Sequence, residues 1–112
     1  MRTPRLPPLG ALRAFHAVAR QRSFKLAAGA LGVSATAVSH QIKLLESVLE
    51  CRVCERSAQG VSLTDAGRAY LADCVRLLAA VDAAEAFAVL EEKLDVLRAL
   101  LYGYDYSDFL TG

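Results

Sequence analysis

The sequence predicts a mainly α fold: three short helices, a β-hairpin, then one long C-terminal helix. Three observations carry this prediction. Apolar residues recur at helical spacing in four stretches. Ser23, Ser34 and Thr64, all good capping residues, stand directly before three of those stretches. Between residues 52 and 63 the helical period stops, and two short β-prone runs flank the polar loop Ser57-Ala58-Gln59-Gly60.

The elements follow in order. Pro7 and Pro8 end an extended arm, and Leu9, Leu12, Phe15, His16 and Ala19 mark a first helix to about Gln21. Ser23 caps a second helix from Phe24 to Leu31, whose Ala27, Ala28 and Ala30 permit close packing. Gly32 sits where a left-handed residue ends a helix. Ser34 caps a third helix from about Ala35 to Leu49, with Val38, Ile42, Leu45 and Leu49 as its inward stripe. Two helices joined by a tight Gly-containing turn form a helix-turn-helix pattern. Arg52–Arg56 and Val61–Leu63 read as the two strands of a wing beside it. Thr64 caps a long helix beginning at Asp65, on which Tyr70, Leu71, Cys74, Leu77, Leu78 and Val81 form a nearly heptad apolar seam. Such a seam wants a partner helix: a second copy of the chain, or the same domain if the helix folds back.

Composition bounds the function. With 112 residues, 54% hydrophobic and 22% charged, the chain suits one packed domain plus an extension. It holds no apolar run near the roughly 18 residues that a membrane span needs, so no membrane partner is expected. Met1–Pro8 carries basic residues without an apolar stretch behind them, a poor signal peptide, which points to the cytoplasm. Three cysteines give no disulfide framework. Cys51 and Cys54 form a C-x-x-C, but only Cys74, His16 and His40 remain as scattered further thiol or imidazole ligands. Small core or loop thiols are the plainer reading, and neither metal nor cofactor is expected. No nucleophile–base pair or phosphate-cradling loop is visible, so an enzyme is not expected either. A thiol enzyme using Cys51 and Cys54 is the alternative from that class.

The net charge of +1 conceals a division. Residues 1–64 hold nine Lys/Arg against three acids, and residues 65–112 hold four against nine. A basic head on an acidic tail is the asymmetry expected when only one part meets phosphate.

The run from Ala27 to Glu46, with the Glu55-Arg56-Ser57 and Leu63-Thr64-Asp65-Ala66-Gly67 segments and the opening Leu9–Phe15, resembles the DNA-binding domain of LysR-type transcriptional regulators over about residues 7–90. The resemblance implies a winged helix-turn-helix and a homodimer held by the long helix. It also implies that each third helix enters a major groove of double-stranded DNA and that each wing reaches the flanking minor groove or backbone. On it, residues 1–64 form the winged helix-turn-helix, 65–90 the linker and dimerisation helix, and 91–112 an atypical acidic helix and aromatic tail. Tyr70, Leu71, Cys74, Leu77, Leu78 and Val81 become the dimerisation residues.

Roles follow residue by residue. Ser34, with the first-turn amides, is a candidate phosphate ligand or an N-cap alone. Thr36, Ser39 and His40 are candidates for base edges, Ser39 and His40 standing where the family often places a Ser followed by a reading side chain; His40 is otherwise a solvated surface residue. Gln41 and Lys43 are assigned to the DNA backbone. In the wing, Arg56 is the phosphate candidate and Gln59 the groove probe, although Arg56 could equally pair with Glu55 or Glu46 to hold the wing. His16 is expected to be packed.

The sequence departs from the family at Glu50, where Gly usually ends the third helix, and at Cys54, where a large apolar residue is usually buried. It also holds no effector-binding domain of the kind that follows the long helix in full-length members, so no small-molecule effector site is expected. From Leu90 to Leu101 the chain reads as an acidic amphipathic helix, followed by Tyr102-Gly103-Tyr104-Asp105-Tyr106-Ser107-Asp108-Phe109. This tail resembles a segment of the type I restriction enzyme motor subunit. Its aromatics suggest a hydrophobic patch; Asp105 and Asp108 argue against a single-strand stacking platform. The alternative function is a truncated or fused remnant that acts as a dimerisation or dominant-negative module.

Overall fold

The computed structural model describes residues 7–102. Three helices, α1 (Leu9–Gln21), α2 (Phe24–Leu31) and α3 (Ala35–Leu49), precede an antiparallel hairpin of β1 (Cys54–Ser57) and β2 (Gly60–Leu63). One long helix, α4 (Asp65–Tyr102), follows. The fold is the expected winged helix-turn-helix.

The helix limits are set by local chemistry. Ser23 Oγ accepts from the Leu26 amide and Ser34 Oγ from the Ala37 amide, each at 3.1 Å, so each takes one first-turn N–H without an intrahelical partner. Gly32 ends α2 in the left-handed region at φ 69°. Two other helix ends use the same conformation without glycine: Arg22 after α1 at φ 55° and Glu50 after α3 at φ 57°. The Glu50 cap therefore adopts the conformation glycine favours, at a cost of about 1 kcal/mol for its Cβ.

Helix α1 is the centre of the core. Its Leu12, Phe15 and Val18 are buried with Ala27 and Ala28 of α2 and Val38, Ile42 and Leu45 of α3. Val53, Cys54, Val61 and Leu63 close the core from the wing side. The first strand starts later than expected. Arg52 and Val53 do not join the ladder, because their polar groups are engaged elsewhere. The Val53 amide donates to Glu46 Oε2 at 2.8 Å, the Val53 carbonyl accepts from the Thr64 amide at 3.1 Å, and the Arg52 carbonyl accepts from Thr64 Oγ1 at 2.6 Å. The wing turn is also tighter than expected, since Ser57 pairs with Gly60 and only Ala58 and Gln59 lie between them.

The long helix spans two compact units. The first compact unit runs on to Leu78, and a second begins at Ala79. The reason lies in the seam read as a dimer contact. Cys74 and Leu78 are buried in the first unit's own core, with Tyr70 and Leu71 packed against it. Cys74 Sγ donates to the Leu12 carbonyl at 3.3 Å, and the Tyr70 ring lies 6.0 Å from that of Phe15. Those four residues roof their own domain; Leu77 is exposed and Val81 half-buried. The boundary expected at 64/65 is where α4 begins, and the one expected at 90/91 falls within that helix. The aromatic residues from Tyr104 onward lie outside the described residues.

Two predictions follow from this packing. A Cβ at Gly67 would overlap the carbonyl of Val53, so Gly67→Ala should destabilise the fold by about 1–3 kcal/mol, read as a lowered Tm. Burial pushes both the Cys54 and Cys74 thiols up to about 11, while Cys51 is exposed. A thiol reagent at mildly alkaline pH should therefore titrate one cysteine in the native protein and three after unfolding. Because the folded state holds those two thiol protons more tightly, their contribution to stability is complete below the ordinary thiol value of 9.0. It should be lost as pH rises from there towards 11.

Candidate nucleic-acid interface

The capped start of α3 forms an exposed edge. Ser34, Thr36 and His40 are exposed, Ser39 is half-buried, and Lys43 is exposed one turn further along. Val38, Ile42 and Leu45 hold the opposite face in the core, which fixes the rotation of the helix. The start of α3 thus presents small polar side chains around first-turn amides, the groups that attract anions at a helix N-terminus.

The wing is tied to this edge by a single side chain. Arg56 Nη2 donates to Ser39 Oγ at 3.1 Å, and its guanidinium carbon sits 4.1 Å from the centroid of the Phe24 ring. Neither Glu55 nor Glu46 is the hydrogen-bond partner found for it among the described residues. Glu46 instead receives the Val53 amide and fastens the segment that leads into the wing. Phe24, Ser39, Lys43, Arg52 and Arg56, with Glu46, line a groove of about 90 Å³ between α3 and the hairpin. Lys43, Arg52 and Arg56 are all exposed there, so three cations converge beside the polar edge of α3. At the tip, Gln59 is exposed, its own amide donating to Ser57 Oγ at 3.3 Å.

All eight residues read as DNA contacts thus lie on α3 or the wing with exposed or half-buried side chains. Gln41 alone of them turns its amide inward. Its amide group lies against Gly10 of α1, about 3.5 Å from where a Cβ would stand, and its Oε1 is buried without a hydrogen bond from the protein. It faces the α1–α3 contact rather than the outer edge, because its position falls a helical turn from Val38 and Leu45 on the covered side. Two contributors escaped the sequence reading. Phe24 is the platform for Arg56, a pairing between residues far apart in sequence that no local pattern reports. Arg52 resembled a strand residue; its exposed position and its bond from Nη2 to the Cys54 carbonyl at 3.3 Å emerge only from the bend before β1.

Among the described residues, no group of three His, Cys, Asp or Glu side chains is placed to hold a metal ion, and no helix is long and apolar enough to cross a membrane.

The family model described as bacterial regulatory helix-turn-helix protein, lysR family, matches residues 9–68. The glycine cleavage system transcriptional activator homolog of Haemophilus influenzae is 46% identical over 74 residues, covering 66% of this chain and 25% of that protein. The HTH-type transcriptional regulator BudR of Klebsiella aerogenes is 44% identical over 89 residues, covering 80% of this chain and 59% of BudR. The chain thus spans a quarter of the first relative and somewhat over half of the second. Among solved structures, a CbnR_DBD-DNA complex is 32% identical with a TM-score of 0.69, over 76% of this chain and 98% of that one.

The Arg56 contact generates a test of its own. Phe24→Leu keeps an apolar side chain but removes the ring, at a cost on the order of 1 kcal/mol. Amide exchange at Ala58 and Gln59 should then quicken relative to the wild type. Unchanged exchange would show that the two-strand ladder alone holds the wing.

Proposed function

The chain belongs to the LysR family of bacterial regulatory helix-turn-helix proteins, and on that premise we propose that it binds double-stranded DNA sequence-specifically as a homodimer and regulates transcription. The observation that carries this reading is the juxtaposition just described: the polar, exposed start of α3 flanked by Lys43, Arg52 and Arg56. An α-helix fits the major groove, where the four base pairs present distinguishable edges, and residues near its N-terminus approach them most closely.

The roles divide by chemistry. Thr36, Ser39 and His40 face base edges, with the Thr36 methyl suited to a thymine methyl and His40 to a guanine acceptor. Ser34, the first-turn amides of α3, Lys43 and Arg56 meet phosphates and set the register. Arg52 joins them from the groove side, and Gln59 probes the flanking minor groove from the wing tip. Gln41 belongs to the packing of α3 on α1. The homodimer forms through the exposed part of α4. No catalytic step is assigned, and no small-molecule effector is assigned to these residues.

Selection from a pool of random duplexes, followed by salt titration of the retained sequences, tests the proposal. Enrichment of a two-fold half-site pattern, with affinity falling steeply as salt rises, is expected. Lys43→Ala should weaken binding to all sequences alike and flatten the salt slope by about one. His40→Ala should cost about 1–3 kcal/mol at one base position and relax specificity there. Self-association without retained DNA would instead make the chain a dimerisation module, and absence of binding at low salt would overturn the DNA reading.

A further inference from the structure

The second strand of the wing is gripped from outside the hairpin. The Val61 amide donates to the Arg22 carbonyl at 3.2 Å, so it points away from β1. Opposed residues in an antiparallel pair alternate between exchanging both ladder bonds and exchanging none. Val61 stands opposite Arg56, and its outward amide makes theirs a pair of the second kind. The grip is therefore level with the cation that meets Ser39 and the Phe24 ring. Three consecutive residues share the work of this turn. Arg22 holds the wing by its carbonyl, Ser23 caps α2, and Phe24 offers its ring to Arg56.

The Arg22 carbonyl reaches the wing because of the backbone conformation at that residue. Its own amide still closes α1, donating to the Val18 carbonyl at 2.8 Å. Its φ of 55° and ψ of 28° then turn the chain out of the helix, and the carbonyl leaves the helix axis. A right-handed residue here would carry α1 onward and keep that carbonyl along the axis. The Arg22 side chain is exposed and takes no part in the bond to Val61. Gly60 shows how closely the two segments approach. A Cβ there would stand 3.0 Å from the Arg22 oxygen, tighter than an ordinary contact.

We propose that Arg22 is a positioning residue for the wing and acts through its left-handed main chain. By holding Val61 it sets where Arg56 and Gln59 meet the DNA that flanks the bases read by α3. The inference rests on the DNA-binding reading above, and adds which residue aims the wing and by which atom. The position requires a conformation rather than a charge. Asparagine enters the left-handed region more readily than most residues, whereas a β-branched residue is strongly disfavoured there. Arg22→Asn and Arg22→Val remove the same charge, so a difference between them reports the backbone.

The test compares two duplexes carrying the half-sites selected by the full chain, one ending at those sites and one extended by flanking base pairs. The extension should raise wild-type affinity about tenfold. Arg22→Asn should keep this gain to within about twofold, while Arg22→Val should lose most of it. On the short duplex, which α3 reads alone, the two variants should bind alike. Gly60→Ala presses on the same oxygen at a φ of 116°, so it should reproduce the loss, and it decides the matter if Arg22→Val does not fold. If Arg22→Val keeps the gain, the inference is overturned. If both Arg22 variants lose it equally, the missing cation is the cause and the inference is overturned as well. A wild type that gains nothing from the extension overturns the inference and leaves the DNA-binding reading standing. A wild type that retains no duplex at low salt overturns the DNA-binding reading itself, and the inference with it.

Discussion

The backbone of Arg52 and Val53 passes between α3 and α4 with its polar groups held from both sides. Glu46 reaches from the last turns of α3 to accept from the Val53 amide, while Thr64 donates to the Val53 carbonyl through its amide and to the Arg52 carbonyl through its hydroxyl. The same hydroxyl accepts from the Gly67 amide at 3.0 Å and so caps α4. One threonine therefore starts the long helix and closes the path into the wing. Buried or half-buried backbone groups must find partners, and here that requirement sets the distance between α3, the hairpin and the start of α4. Gly67 completes the arrangement, because only its missing Cβ lets α4 come so close to Val53.

Much of this architecture was legible in the sequence because it rests on local chemistry. Ser23, Ser34 and Thr64 mark helix starts through side-chain bonds that span only three residues, and the stripe of Val38, Ile42 and Leu45 declares which face of α3 is covered. What remained hidden depends on the tertiary approach of distant segments. The alternating look of residues 52–56 is the same whether the first two pair with a strand or with Glu46 and Thr64. The seam on α4 suits a partner helix or its own core equally well, and the contact of Cys74 with Leu12 comes from the tertiary approach of α1. The orientation of Gln41 follows from Gly10 on another helix.

The same division holds for the candidate site. Ser34, Thr36, Ser39 and His40 could be named from their place on a capped helix. The way Arg56 is held could not, since both of its partners come from other elements. Phe24 supplies a ring face and Ser39 an oxygen, whereas the sequence offered only nearby carboxylates. Cys54, a small side chain, is buried, so the wing closes over the core without a bulky anchor there.

The Arg56–Ser39 bond also has a consequence for the chemistry that Ser39 can offer. A hydroxyl carries one proton and two lone pairs. With a cationic donor engaging one lone pair, electron density is drawn from the oxygen and its own proton becomes the more strongly polarised side of the group. On the DNA-binding reading, the wing would thus set the polarity of the recognition helix. It would bias Ser39 towards purine N7, guanine O6 or thymine O4, and away from the exocyclic amines of adenine and cytosine.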